Sequence, residues 1–408
     1  MKKQFDIVIV GGGAVGAALA LQLQPLGYRI AVVESREPLF ESSDPERVIA
    51  LSYGSRVHLE QLGVWPEVAA AGSGLIRHIV VSEPGNAGRV DMDAIDARHE
   101  APDIEALGYV VEMGQLLAPM YARMHDCAQV ICPASVTALQ QTDDGVELRL
   151  QQGEKSDTLH ARLVIGADGT QSQMRRMAGI DLFGWDYNRY GIVASVACER
   201  SHDDVAYECF RESGPLALLP LADGRFSIVW AATPSEAVRL LQMPEAAFLQ
   251  KLYRVVGDAV QPKSGRFTAM GGRASYPLEL SVARSYTAPR LLLAGNAAHT
   301  VHPVGGQGMN LGLRDVALLA RVLDSDLARQ DPGAPILLQA YAEQRRLDVL
   351  GVTGFTESMV NAFGTSFAPG RWLRGQGLNA MQMWPPLRDL LLHHAAGLSS
   401  LAATGENQ

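Results

Sequence analysis

The sequence predicts a mixed α/β protein with a Rossmann-like nucleotide-binding domain, an inserted antiparallel β-sheet domain and a helical C-terminal region. Three observations carry this. The chain begins with a strand, a glycine turn, a helix and a second strand. Its middle is a series of β-rich segments punctuated by Asp, Gly and Pro. Late in the chain, an apolar strand leads into a glycine-rich loop and a long helix, so the nucleotide-domain pattern resumes after an interruption.

Residues 5–10 are a short apolar run ended by glycines, residues 14–26 have helical character, and residues 30–33 form a second β-branched run, which together make a βαβ unit. Residues 75–93 read as two strands around a Pro-Gly turn. Residues 114–126 read as a helix with Leu116, Leu117, Met120 and Met124 near one face, and strands are expected at 136–141, 146–150 and 163–165. The β-rich stretch at 187–232 predicts a separate layer, followed by helices at 234–241 and 244–255. A strand at 291–294 and a helix from about 308 to 327 return the chain to the first domain. Residues 371–401 are helical by pattern, with Leu387, Leu390, Leu391, Leu398 and Leu401 spaced for one face. The expected division is a discontinuous nucleotide domain (1–75, 106–182 and 277–365), a substrate domain (76–105 and 183–276) and a C-terminal helical region (366–408).

Composition narrows the function. The 408 residues are 47% hydrophobic and 19% charged, as in a globular protein with a sizeable core. A net charge of -9 offers no global attraction for polyanions, which argues against nucleic acid as a partner. Cys127, Cys132, Cys198 and Cys209 lack histidines at zinc-ligand spacing, so no metal site is expected, and a reduced, cytoplasmic location fits. The opening Met1-Lys2-Lys3 superficially resembles a secretory signal, but Asp6 interrupts it. No run of eighteen apolar residues suggests a membrane span.

Gly11, Gly13 and Gly16 form G-x-G-x-x-G directly after a strand and at a helix start, with Ala14 and Val15 in the first helical turn. There, backbone N–H groups and the helix dipole favour a pyrophosphate. Glu34, at the end of the second strand, is placed to accept hydrogen bonds from a ribose and would repel a 2′-phosphate, favouring FAD or NAD over NADP. The glycines alone could also make an ordinary tight turn. Two later segments favour FAD: residues 163–172, containing Asp168, and residues 291–310, containing Gly295-Asn296 and His302-Pro303-Val304-Gly305-Gly306-Gln307-Gly308-Met309-Asn310. A loop of the second kind, ending at a helix start, can present N–H groups to the anionic edge of a reduced flavin.

At these three segments the sequence resembles the single-component flavin aromatic hydroxylases built like p-hydroxybenzoate hydroxylase. Within that class, residues 302–315 look like the signature of the ubiquinone-biosynthesis hydroxylases. The resemblance covers residues 5–363 and implies an FAD domain of that type. It implies that Gly11, Gly13, Gly16 and Glu34 hold the AMP half of FAD, that Asp168 supports the pyrophosphate region, and that Arg47 and Gln115 make further FAD contacts. It also implies Gly295 and Asn296 at the ribityl chain and Pro303, Gly305, Gly306, Gln307, Gly308, Met309 and Asn310 around the isoalloxazine. The usual residue at position 296 is Asp; Asn keeps an amide oxygen for a ribityl hydroxyl but loses the charge. That Asn, Tyr207-Glu-Cys-Phe and the segment from Gly214 to Pro220 resemble the branch that hydroxylates 2-polyprenyl-6-methoxyphenol.

The implied reaction is aromatic hydroxylation with NAD(P)H as transient reductant and O2 as oxygen source, through a C4a-hydroperoxyflavin. The absence of a second glycine fingerprint agrees with transient NAD(P)H binding. The polyprenylated phenol would keep its tail in a groove, a peripheral contact with the inner membrane, or a pathway protein. The C-terminal leucine-rich helix is a candidate for that contact, although packing on its own domain is the simpler use of such a face. His299, His302, His393 and His394 lack nearby carboxylates at metal or general-base spacing, and no catalytic side chain is assigned. Trp230 and Tyr207 could line a pocket, but each reads more simply as sheet core. A flavin oxidase or dehydrogenase on another apolar substrate, and a non-catalytic FAD-binding assembly subunit, are the competing functions.

Overall fold

The computed structural model describes residues 3–38, 40, 48–142, 144–257, 260, 264–364 and 368–398. The opening strand, Lys3–Val10, pairs in parallel with Ile30–Val33 on one side and Lys155–Gly166 on the other, and Leu291–Leu293 lies beyond Lys155–Gly166. Its second half is buried, as expected of a parallel strand covered on both faces. Helix Ala14–Leu23 is built almost wholly of small and aliphatic residues, and this lets it lie close to the sheet and against helices Met113–Cys127 and Gln307–Leu323.

A second sheet is ordered His299–Thr300, Phe267–Ala283, Leu182–Cys198, Phe226–Ala232, Leu216–Pro220, Val205–Cys209, His78–Ser82 and Arg89–Asp93. Most of its pairs are antiparallel; Val205–Cys209 and His78–Ser82 run parallel. One face packs on helices Pro234–Gln242 and Glu245–Val256 around buried Trp230, Tyr207, Phe226 and Phe248. Trp230 and Tyr207 therefore belong to this core. A three-stranded sheet, Val48–Ser52, Gly108–Glu112 and Gly74–Ile76, completes the strands near the site. The long strands Leu182–Cys198 and Phe267–Ala283 pair along nearly their whole lengths and join the two cores: Leu280 and Ala283 sit in the first, Phe267 in the second.

Several boundaries differ from expectation for local reasons. The first helix gives way at Gln24 to a 3-10 turn containing Pro25, and Gly27, at φ +81°, ends it. Residues 74–93 form three strands. The late helix stops at Leu323, and Ser325 caps a separate short helix, Asp326–Gln330. Strand Phe267–Ala283 and the 29-residue helix Pro335–Phe363 were not foreseen. The C-terminal region is two helices, Ala368–Met383 and Pro385–Ala396. Its leucines do not share one face: Leu392 and Leu398 are buried, Leu390 is exposed, and Leu401 lies outside the described residues.

Candidate active site

The three glycines of the first turn do different work. Gly11 has φ +108°, and a Cβ there would fall 2.3 Å from the Ala167 carbonyl oxygen. A Cβ at Gly16 would fall 1.8 Å from the Gly11 carbonyl oxygen, so these two let helix and strands meet. Gly13 faces open space and caps the helix without a side-chain hydrogen bond, leaving its first N–H groups available to an anion. Ala14 is buried at the first helical position, and Val15 is wedged between two later glycines: a Cβ at Gly312 would fall 2.6 Å, and one at Gly295 3.1 Å, from Val15 Cγ2.

Glu34 lies beside this turn, and its carboxylate accepts hydrogen bonds from the Gly12 N–H at 2.6 Å and the Arg36 N–H at 3.0 Å. Each oxygen retains capacity for a ribose hydroxyl. Gln115, near the start of helix Met113–Cys127, has its Oε1 buried without a partner. A buried acceptor left open in this way fits a missing donor. The Asp168 carboxylate, by contrast, is taken up by Ser172 and by the N–H groups of Gln173 and Met174 at the start of helix Gln173–Met177. Asp168 therefore meets the glycine turn through its backbone. Arg47 lies outside the described residues.

The second loop runs from Pro303 into helix Gln307–Leu323. Gly305 and Gly306 have φ of +66° and +63°, conformations that favour glycine, and the helix again starts without a side-chain cap. Asn310 holds the loop down: its Oδ1 accepts from the Ser52 N–H at 2.9 Å and the Ser55 hydroxyl at 2.7 Å, and its amide donates to the carbonyls of Ala50 and Gly306. Gln307 donates to the Gly305 carbonyl at 3.2 Å. These two side chains shape the loop, leaving its backbone to face a ligand. Asn296 is exposed, with its amide 3.5 Å from the Thr170 hydroxyl.

Beneath the loop lies a buried charge network. Asp315 accepts from the Gly295 N–H at 2.6 Å, pairs with His299 at 2.9 Å and with Arg345 at 2.5 Å, and Arg345 continues to Asp348. Burial alone would raise the Asp315 carboxyl, but Arg345 and His299 hold it below the usual carboxylate range. His299 thus has a carboxylate partner sixteen residues away, which spacing in the sequence did not reveal. His302, packed edge-on against Tyr187, is pulled down to about 4 by burial and is neutral at pH 7. Among the described residues, no group of three or more His, Cys, Asp or Glu is arranged to hold a metal.

Between the second loop and the antiparallel sheet is a cavity of about 480 Å³. Residues 303–310 and strand Val48–Ser52 line one side, and Ala217, Leu219, Val229 and Leu278 line another. Leu378, Met381, Leu391, His394 and Ala395 bring in the two C-terminal helices. The lining is largely apolar, and its single Asp, Glu, Lys or Arg among the described residues is Glu208. Glu208 was not legible as cavity wall in the sequence, although strand alternation about the buried Tyr207 is a signal that could have exposed it; the C-terminal helix was offered as a candidate contact for the tail, with packing on its own domain as the simpler use, and it does border the cavity.

Two uncapped helix starts, an acceptor beside the first and an apolar cavity beside the second suit a dinucleotide and an apolar substrate, and together with its family and relatives they make the chain an FAD-dependent aromatic monooxygenase. The chain belongs to the FAD binding domain family, whose model matches residues 4–356. It is 37% identical to ubiquinone hydroxylase UbiL of Rhodospirillum rubrum, over 98% of this chain and 91% of that one. It is 35% identical to 3-demethoxyubiquinol 3-hydroxylase of Escherichia coli, over 96% of this chain and 98% of that one. The fold is shared with p-nitrophenol 4-monooxygenase PnpA of Pseudomonas putida at a TM-score of 0.79 and 20% identity, over the whole of both chains.

Proposed function

We propose that this protein hydroxylates the ring of a polyprenylated phenol in ubiquinone biosynthesis, with 2-polyprenyl-6-methoxyphenol as substrate and NAD(P)H as reductant. The observation that carries this reading is the apolar cavity against the Pro303–Asn310 loop, large enough for a substituted ring and walled on three sides by hydrophobic side chains. The similarity to two ubiquinone-pathway hydroxylases supports the substrate class.

FAD, when bound, supplies electron transfer and oxygen activation. In this reading Gly11, Gly13, Ala14, Val15 and Gly16 form its pyrophosphate turn, Glu34 takes the ribose, and Gln115 offers its unpartnered oxygen. Gly295 and Asn296 flank the ribityl chain, Pro303, Gly305 and Gly306 form the turn beside the isoalloxazine, and the backbone of Gln307, Gly308 and Met309 at the uncapped helix start presents N–H groups to it, with Asn310 holding their loop. Asp168 sets the neighbouring turn. The apolar walls exclude water from the reacting ring.

No helix among the described residues is long and apolar enough to cross a membrane. Trp372, Leu373, Met383, Trp384 and Leu390, in and between the two C-terminal helices, are each 60% or more exposed. This surface supports a peripheral membrane contact close to the cavity, where a prenyl tail would stay in lipid. Co-sedimentation with anionic vesicles tests it; wild-type protein should bind and a Trp372→Ser, Trp384→Ser variant should not.

The substrate is tested by supplying flavin-loaded protein with NAD(P)H, labelled O2 and, separately, 2-polyprenyl-6-methoxyphenol or 3-demethoxyubiquinol. One labelled atom in the product of the first supports the proposal. Incorporation confined to the second reassigns the ring, and cofactor oxidation without incorporation makes the protein an oxidase.

A further inference from the structure

Glu208 lies on strand Val205–Cys209, whose alternation sends Tyr207 and Cys209 into the second core and leaves Ala206 and Glu208 on the cavity side. The register across the sheet places Val90, Val81, Glu208, Ala217 and Val229 in one row, and all five line the cavity. One carboxylate thus stands in an otherwise aliphatic row. It has no ion-pair or side-chain hydrogen-bond partner among the described residues; its one polar neighbour is the backbone of Gly305, in the loop at the uncapped helix start. A carboxylate kept in an apolar wall with one backbone hydrogen bond and no ion pair costs stability, which argues for a use.

We propose that Glu208 is the catalytic base of the hydroxylation, taking the phenol proton of the substrate held in the cavity. This rests on the reading of the protein as a phenol hydroxylase. A ring bearing a phenolate donates more electron density to its carbons than a neutral phenol, but an apolar cavity disfavours the phenolate unless a nearby group takes the proton. In the transfer, the phenol O–H bond breaks and a carboxyl O–H bond forms, with no electrons exchanged between Glu208 and the substrate. NAD(P)H supplies the two electrons for oxygen insertion, and O2 supplies the inserted atom. As the O–O bond breaks and the new C–O bond forms, the ring carbon sheds its hydrogen as a proton; this proton, the hydrogen delivered with the electrons of NAD(P)H and one proton from solvent supply the new hydroxyl and the water in which the second oxygen atom leaves. Glu208 then returns its proton to the ring oxygen.

Burial pushes Glu208 up to about 7, while a backbone hydrogen bond from Gly305 pulls the other way, so the group can accept a proton near neutral pH. Its neighbours do not compete for this role. His302 is pulled down to about 4 by burial, His394 is also lowered, first by burial and then by Arg314, and Tyr207 and Tyr276 are pushed up to about 12. On the adjoining strands, Ile79, Val81, Val90 and Met92 take the cavity side, and His78, Arg89, Asp91 and Asp93 pair with one another on the opposite face.

The test compares wild-type, Glu208→Gln and Glu208→Asp proteins loaded with flavin and given 2-prenyl-6-methoxyphenol. Two readouts are taken: labelled oxygen in the product against pH, and the ultraviolet difference spectrum of the bound phenol before any reductant is added. Glu208→Gln should retain flavin, lose about 10²–10⁴-fold in kcat and lose the phenolate band that rises through about pH 7 in the wild type. Glu208→Asp should restore part of both. An unchanged phenolate band or pH profile in Glu208→Gln overturns the assignment even if hydroxylation is confirmed. A wild type that inserts no labelled oxygen into any phenol overturns the hydroxylase reading, and this assignment with it.

Discussion

The two glycine-rich turns look alike in sequence, since each follows a strand and opens a helix without a side-chain cap, yet their glycines answer to different constraints. In the first, Gly11 and Gly16 are required by the protein itself, because a Cβ at either would collide with a backbone carbonyl; only Gly13 is open. In the second, Gly308 is open, Gly305 and Gly306 are set by their positive φ, the loop is held by Asn310, and Asp315, further along the helix it opens, ties that helix to Gly295, His299 and Arg345. The first turn is therefore rigid through close packing, whereas the second is rigid through hydrogen bonds and charge.

The largest expected effect breaks the second anchor. Asp315→Ala leaves Arg345 buried without its main partner and should cost about 3–5 kcal/mol in urea unfolding. A loss below about 1 kcal/mol would show that the charge network does not anchor the helix that this loop opens. Gly16→Ala should cost about 3 kcal/mol, at the upper end of overpacking penalties, and purify without flavin. If it keeps full flavin content, close packing does not define the first turn.

Acid should loosen the far end of the first helix and the second loop. His58, hydrogen-bonded to Gln22 of the first helix, and His302, in the second loop, are each lowered from 6.5 to about 4 by burial. The unfolded chain binds protons more readily there, so their stabilisation is complete above pH 6.5 and is lost as pH falls toward about 4. The loss should be on the order of 3 kcal/mol for each histidine by pH 4. Unfolding midpoints between pH 8 and pH 4, about the span of these shifts, should fall less steeply in His58→Gln than in the wild type. The smallest effect on stability belongs to the open glycines. Gly13→Ala and Gly308→Ala should leave the apoprotein within about 0.5 kcal/mol of wild type, while flavin affinity, measured by fluorescence titration, falls. Unchanged affinity in either would move the cofactor away from that turn.

This contrast also explains what could be read in advance. The first turn was legible because its glycine spacing and the acid after the second strand follow from backbone geometry. The second became legible through family resemblance, and the anchors beneath it were hidden: Arg345, on an unforeseen helix, is a basic residue that patterning assigns to the surface, yet it is buried. Strand Phe267–Ala283 escaped notice because much of it is exposed and it contains Gly271, Gly272 and Pro277, which read as turn residues. The family resemblance implies Asp168 at the pyrophosphate region; in the structure its carboxylate accepts from Ser172, Gln173 and Met174 at a helix start, which no local pattern announced.

The strand order has a consequence for how the protein comes into being. Lys3–Val10, which precedes its partners in the sequence, lies between Ile30–Val33 and Lys155–Gly166, and Leu291–Leu293 must still dock beyond them. The opening strand completes its pairing once Lys155–Gly166 is made, but the outer edge of Lys155–Gly166 then stays unpaired through the synthesis of Leu182–Ala283, until Leu291–Leu293 arrives. The cavity waits longer, because residues 378–395 form part of its wall. A chain stalled before that point would carry most of the flavin-binding surface with the reaction chamber open to water, so assembly finishes at the place where exclusion of water matters most.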